Sequence, residues 1–132
     1  MGDRGNVVVM QSEDPKDAVW LYTHWNGSNI ASDLAKALNK FGKARWDDAP
    51  YLTRIIFCQM LPEKYHNEET SWGIGTRMGD NEHTILVVNT DKKTIHKVEE
   101  NALEDRRLPA VLPKGISFDA FIKKTLKKEK TV

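Results

Sequence analysis

The hydrophobic and polar positions predict an antiparallel hairpin at the start of the chain. Apolar, β-branched residues favour strands over 7–11 and 19–25. The polar segment between them, 12–17, contains a proline and is typical of a loop. Alternation in the second strand places Trp20, Tyr22 and His24 on one face. The opposite face is lined by Val19, Leu21, Thr23 and Trp25.

Two helices are predicted after the hairpin. In the first, these apolar residues recur at helical spacing: Ile30, Leu34, Leu38 and Phe41. Ser28 or Asn29 is the candidate N-cap, and Gly42 follows as a stop signal. In the second, the apolar positions are Leu52, Ile55, Ile56 and Met60, with Tyr51, Arg54 and Cys58 on a neighbouring stripe.

The second helix carries its own boundary signals. Asp47 or Asp48 is suited to cap it, Pro50 fits its first turn, and Pro62 ends it. Three strands are then predicted over 72–77, 84–89 and 94–98, the last two as a hairpin. A final helix follows Ser117 with its apolar residues on one side: Phe118, Phe121, Ile122 and Leu126.

The resulting order, ββααβββα, predicts an α+β fold. We expect a mostly antiparallel sheet of about five strands with helices packed on one face. The 132 residues should form a single domain, 1–132, with a basic C-terminal helix or tail from about residue 117. The strand at 84–89 is a candidate interface only if it lies at a sheet edge.

Composition excludes several classes of protein. With 39% hydrophobic and 30% charged residues, the chain has ordinary globular composition. The single cysteine, Cys58, permits no intramolecular disulfide, and its apolar neighbours predict a buried thiol. No apolar stretch approaches the roughly 20 residues of a membrane span, and the N-terminus has no hydrophobic signal core. We therefore expect a soluble, cytoplasmic protein with no membrane partner.

Charge gives little support for nucleic acid as a partner. The formal net charge is only +1. The exception is a basic C-terminal run: Lys123, Lys124, Lys127, Lys128 and Lys130. A solvated helix end is the simplest interpretation of this run, and DNA binding through it is the alternative.

Polar and aromatic residues at the ends of predicted elements are the most informative feature for function. Arginine offers a planar fork for phosphate or carboxylate, and tryptophan offers a face for a base. Whether the groups converge depends on the topology. The candidate ligand-binding residues are Arg4, Asn6, Tyr22, His24, Trp25, Arg45, Trp46, Asp47, Arg54, Asp80 and Asn81. Most of them fall into four groups at element ends: Arg4 with Asn6, His24 with Trp25, Asp80 and Asn81 with Glu82 and His83, and the run 45–48.

Structural roles explain some of these residues equally well. Asp47 or Asp48 needs no function beyond capping a helix, and Trp25 and Trp46 are also suited to packing. Asp47, Asp48 and Asp80 could hold a hard cation, and Asp80, Glu82 and His83 could hold zinc. The four histidines form no His-Glu-x-x-His pair, and no nucleophile motif is present. We therefore expect no metal, no cofactor and no turnover.

Several sequence runs together resemble a group of small proteins encoded by phages and prophages. The runs are GDRGN at 2–6, YTHW at 22–25, RWDD at 45–48 with YLTRIIF at 51–57, and GDNEH at 79–83. The resemblance covers roughly residues 2–98 and implies a context rather than an activity. Small phage accessory proteins often counter host defence, by binding a host protein or by sequestering a nucleotide-derived signal.

The leading hypothesis is therefore a phage-type accessory, anti-defence protein. It would bind and sequester a small anionic, nucleotide-derived ligand without turnover, with arginines on the phosphates and aromatic rings on the base. The alternatives are a protein–protein inhibitor or adaptor acting on a host protein, a small metal-dependent hydrolase or nuclease, and a DNA-binding protein. A homo-oligomer is possible, because small sequestering proteins often build their sites between subunits.

Overall fold

A six-stranded mixed sheet organises the chain in the computed structural model, which describes residues 2–130; of Gly42 and 128–130 only the backbone is described. The strands are Gly5–Met10 (β1), Ala18–Thr23 (β2), Trp72–Gly75 (β3), Ile85–Asn89 (β4), Thr94–Val98 (β5) and Ile116–Ser117 (β6). Their spatial order is β3-β2-β1-β4-β5-β6. All neighbours are antiparallel except β1 and β4, which are parallel.

Three α-helices accompany the sheet. They are Ile30–Lys40 (α1), Ala49–Met60 (α2) and Phe118–Lys130 (α3). The Asp48 carboxylate accepts a hydrogen bond from the Tyr51 backbone N–H and so caps α2. Ser117 Oγ accepts from the Ala120 N–H at 3.0 Å and so caps α3. Asn29 precedes α1 without a capping side-chain hydrogen bond, so that part of the cap prediction is wrong.

The two faces of the sheet are covered differently. The helices pack on the face that carries Val7, Val9 and Leu21 and form the larger core there. The opposite face is lined by these buried residues: Val8, Met10, Trp20, Ile85, Val87 and Val98. Leu103, Leu108 and Leu112, from the long connection between β5 and β6, cover it. The α+β class and the placement of helices on one face are confirmed.

The finer topology was not predicted. The sheet has six strands, because Ile116–Ser117 adds a short strand beside β5 before the last helix begins. It is mixed, because the long connection through α1, α2 and β3 returns β4 parallel to β1. β4 lies between β1 and β5, so its apolar residues are not at an edge and provide no interface.

Two side-chain predictions are wrong. Phe41 lies just beyond the last turn of α1, where its ring is 56% exposed instead of joining the apolar face. Cys58 is exposed on α2 and is not a buried thiol, because its stripe faces away from the sheet. Within the described part of the chain, no helix is long and apolar enough to cross a membrane.

Candidate functional site

Three of the four polar groups predicted from the sequence meet at one end of the sheet. β1 begins there, β2 ends there and β4 begins there, so residues 2–6, 22–28 and 79–83 are neighbours. We call these three segments together the sheet-end cluster. Arg4 and Asn6 donate hydrogen bonds to the turn before β4, and the Asp3 carboxylate accepts one from the loop after β2, so these three residues hold the cluster together.

Asn6 anchors the turn before β4. It is fully buried, and its Oδ1 accepts a hydrogen bond from the Gly79 N–H at 2.9 Å. Its Nδ2 donates to the Asp80 carbonyl at 3.1 Å and to Asn81 Oδ1 at 3.2 Å. The buried Asn6 amide thus makes three hydrogen bonds, two of them to backbone groups of the turn, so its own polar atoms are satisfied. Asn6 is therefore inaccessible to a ligand.

Arg4 is occupied by two carboxylates. Its Nε lies 2.9 Å from Glu82 Oε1 and its NH1 lies 3.4 Å from Asp80 Oδ2. The hydrogen bond and charge of Glu82 raise the pKa of Arg4, and the Arg4 backbone N–H and guanidinium lower the pKa of Glu82. Because its charge is already neutralised, Arg4 is poorly suited to gripping a phosphate.

Asp3 connects the N-terminal segment to two loops. Its carboxylate accepts from the Ser28 N–H at 2.8 Å and lies 2.5 Å from His83 Nε2. Hydrogen bonds from Ser28, and then from His83, lower the pKa of Asp3 to about 2. Glycine is required at position 27, because a Cβ there would lie 2.6 Å from the Asp3 carbonyl and 2.7 Å from the His83 ring.

Tyr22 and His24 form a second pair at the same end. The Tyr22 hydroxyl lies 3.0 Å from His24 Nδ1, and the His24 ring meets Trp25 edge-on at a centroid distance of 4.5 Å. Burial raises the pKa of Tyr22. Trp25 is 53% exposed and is the most accessible aromatic residue of the sheet-end cluster.

The fourth group lies at the opposite end of the sheet. α1 starts near the sheet-end cluster and carries the chain away from it, so 45–48 emerges near the far ends of β1 and β4. Asp47 lies 2.5 Å from Lys93, which precedes β5 there. Asp48 caps α2. Neither carboxylate meets Asp80, so the cation site suggested from the sequence is not assembled.

Trp46 belongs to the core. Only 5% of it is exposed, and its ring meets Phe118 edge-on at 5.2 Å. Its Nε1 donates to the Leu38 carbonyl at 2.9 Å, which satisfies the indole and fixes the α1–α2 connection. The prediction that Trp46 stacks on a ligand is therefore wrong in this structure.

An exposed groove lies beside α2 and contains the remaining two predicted arginines. We call it the α2 groove; its lining residues are Phe41, Arg45, Tyr51, Arg54 and Ile55. Its volume is about 440 Å³, which lies in the range of small-molecule sites. Tyr51 is 58% exposed, and the Arg45 guanidinium carbon lies 5.0 Å from the centre of its ring. The Arg54 Nε is 3.4 Å from Cys58 Sγ.

The two arginines of the α2 groove differ from Arg4 in having no acidic partner. Within the described ranges, no carboxylate lies within ion-pair distance of Arg45 or Arg54. The spacing of Tyr51 and Arg54 on α2 was visible in the sequence as a polar stripe. Phe41 was missed as a lining residue, because its helical spacing indicated a core position.

The histidines are dispersed. His66 bonds to the Leu61 carbonyl, and His96 lies between the Thr94 hydroxyl and the Pro113 carbonyl. Among residues 2–130, no three His, Cys, Asp or Glu side chains are grouped as a metal site would require.

Comparison with known proteins yields no match to a family model, a curated protein or a solved structure. The resemblance to small phage proteins gains no support from these comparisons and stays a prediction. The structure therefore separates the candidate residues into two regions. In the sheet-end cluster the side chains are held by hydrogen bonds and ion pairs, whereas the α2 groove is exposed.

Proposed function

We propose that this chain is a phage-type accessory protein that binds and sequesters a small anionic, nucleotide-derived ligand in the α2 groove. The observation that carries the proposal is a pair of arginines, Arg45 and Arg54, that have no carboxylate partner among the described residues and are flanked by the exposed rings of Phe41 and Tyr51. The phage context rests on the resemblance of the sequence runs, and the ligand class rests on the groove.

The chemistry of the groove suits a ligand that combines phosphate with a planar ring. Without a carboxylate partner among the described residues, each guanidinium keeps its terminal N–H donors available for a phosphate, while Arg54 Nε donates to Cys58 Sγ. Aromatic side chains stack on nucleobases with little preference for sequence or base type. The stack of Arg45 on Tyr51 holds both side chains before the ligand arrives, which lowers the entropy cost of binding.

Sequestration requires affinity and not turnover. The carboxylates proposed for metal-assisted hydrolysis lie apart, with Asp47 near Lys93 and Asp80 near Arg4. The α2 groove itself is lined by no carboxylate and no histidine. Its lining supplies positive charge and apolar contact, which are the two contributions a nucleotide-capturing surface needs.

A titration of nucleotides with matched aromatic variants tests the proposal. The panel is ATP, GTP, a cyclic dinucleotide, adenosine and inorganic triphosphate. Tyr51→Ala should weaken nucleotide binding by about 5- to 160-fold, since one stacked base contributes roughly 1–3 kcal/mol. The control is Trp25→Ala, which removes an equally exposed ring at the other end of the sheet and should leave affinity unchanged.

The same panel tests the contributions of the nucleoside and of the phosphates separately. Adenosine and inorganic triphosphate should each bind much more weakly than the nucleotide that contains both. Equal binding of all panel members, or equal loss of affinity in the two variants, would show that the α2 groove is not the binding site.

A protein–protein inhibitor or adaptor is the second candidate, and the exposure of Phe41 and Tyr51 favours it. Exposed aromatic residues beside arginines are the residue types that dominate protein interfaces. A host protein that forms a one-to-one complex with wild type, and loses it in Tyr51→Ala without any nucleotide present, would support this candidate.

A further inference from the structure

β3 is an edge strand with an open outer side. It pairs with β2 on its inner side, and no described residue donates to or accepts from the outer backbone groups of Trp72–Gly75. Ile74 is 65% exposed, and a Cβ built on Gly75 would meet nothing within 4 Å. Among the described residues, the outer backbone groups of this strand are therefore unpaired and available to another backbone.

The strand lacks the devices that usually protect an edge. Natural edge strands carry lysine, proline or a bulge that discourages pairing with another chain. The sequence of β3, Trp-Gly-Ile-Gly, contains no charge and no proline. The other edge of the sheet, β6, has only two residues before α3 begins, so it offers much less backbone to a partner.

The charges on either side of β3 are self-complementary. Glu68 and Glu69 precede the strand and Arg77 follows it, all three exposed. In an antiparallel pairing of two copies, the acidic approach of one strand lies beside Arg77 of the other. Arg77 already lies 3.2 Å from Asp105, but that pair is exposed and leaves other guanidinium N–H groups available.

Antiparallel pairing of two β3 strands, centred on Gly73, also covers the exposed side chain of Ile74. If the two Gly73 residues face each other across a two-fold axis, Trp72 of one copy is opposite Ile74 of the other. Both side chains lie on the helix-bearing face, since their partners in β2 are Thr23 and Leu21. An aromatic residue opposite a β-branched one is a favourable cross-strand pair.

We propose that β3 is a docking edge for a second copy of this chain, joining two sheets antiparallel into one continuous sheet. The contact area of a four-residue edge is small, so the dimer should be weak, with a dissociation constant on the order of micromolar. The two-fold axis of this dimer places the helices of both copies on the same side of the joined sheet.

Sedimentation velocity over a concentration series tests this. Wild type should shift from monomer to dimer as concentration rises. Ile74→Lys should raise the dissociation constant at least about tenfold by placing two like charges across the axis. Ile116→Lys is the matched control, since it adds the same charge to an exposed isoleucine on the opposite edge and should leave the dimer intact.

A charge exchange provides a second, independent readout. Glu69→Arg and Arg77→Glu should each weaken the dimer, and the double variant should restore it. Circular dichroism spectra and melting curves establish that each variant is folded. A wild-type monomer at concentrations up to about 1 mM would overturn the proposal. A dimer that Ile116→Lys dissociates and Ile74→Lys does not would overturn it equally.

Discussion

Arg4 and Glu82 are joined by three hydrogen bonds. The backbone N–H and the Nε of Arg4 both donate to Glu82 Oε1, at 3.0 and 2.9 Å, and the Glu82 N–H donates to the Arg4 carbonyl at 2.9 Å. The contact holds the N-terminal segment against the turn before β4. Arg4 therefore has a structural role in the sheet-end cluster, whereas Arg45 and Arg54 have no such partner.

Replacing Arg4 should lower stability and leave ligand binding unchanged. Arg4→Met keeps much of the side-chain length but removes the guanidinium, so Glu82 and Asp80 lose their partner. We expect a lower Tm than wild type and the same nucleotide affinity. A loss of affinity in a variant with wild-type Tm would assign Arg4 to the ligand site.

Asn6 should be among the most sensitive positions at the sheet end. Asn6→Ala leaves the part-buried Gly79 N–H and Asp80 carbonyl without their side-chain partner and empties a buried position, which should cost about 2–4 kcal/mol of unfolding free energy. Urea denaturation measures this directly. The control is Asn101→Ala at an exposed position, which should change stability by no more than about 0.5 kcal/mol.

Asp3 should make stability sensitive to acid. Its pKa is about 2 in the folded chain, against roughly 3.9 in an unfolded one. A depressed carboxyl pKa stabilises the fold fully above the unfolded value, and the contribution is lost as pH falls towards 2. The stability difference between wild type and Asp3→Asn should therefore shrink from pH 5 to pH 2.

The matched variant for the acid experiment is Asp91→Asn, which removes an exposed carboxylate after β4. Its unfolding free energy should follow the wild-type pH dependence. A difference between wild type and Asp3→Asn that stays constant over the same range would show that the Asp3 carboxylate is not held as the structure describes.

Asp47 and Asp48 should behave differently despite being adjacent. Asp48→Ala removes the α2 N-cap and should cost about 1 kcal/mol. Asp47→Ala removes only an exposed ion pair with Lys93 and should cost about 0.5 kcal/mol or less. Equal losses in thermal or urea denaturation would contradict the assignment of Asp48 as the cap.

Local signals predicted the elements of the fold well. Aspartate before α2, proline in its first turn and serine before α3 act within a few residues of where they stand, so sequence alone located both helix starts. The parallel pairing of β1 with β4 depends on contacts between residues nearly 80 positions apart. No local pattern encodes that pairing.

The candidate site was predicted in part for the same reason. Arg4, Asn6, His24 and Asp80 converge because three strand ends meet there, which the hairpin prediction already implied for the first two segments. Residue type alone made the group at 45–48 a candidate, and whether it joined the others depended on the topology. The length of α1 separates the two regions, and the burial of Trp46 removes it from any ligand surface.

The most direct test of the proposed function is calorimetric titration of an arginine double variant with the tightest-binding nucleotide of the panel. Arg45→Gln with Arg54→Gln should lower affinity at least about 100-fold, since charge-assisted hydrogen bonds contribute roughly 1.5–3 kcal/mol each. Lys97→Gln with Lys114→Gln removes the same charge from exposed sites elsewhere and should bind within about twofold of wild type. Equal affinity in the two double variants, or no binding of any panel member to wild type, would contradict nucleotide capture in the α2 groove.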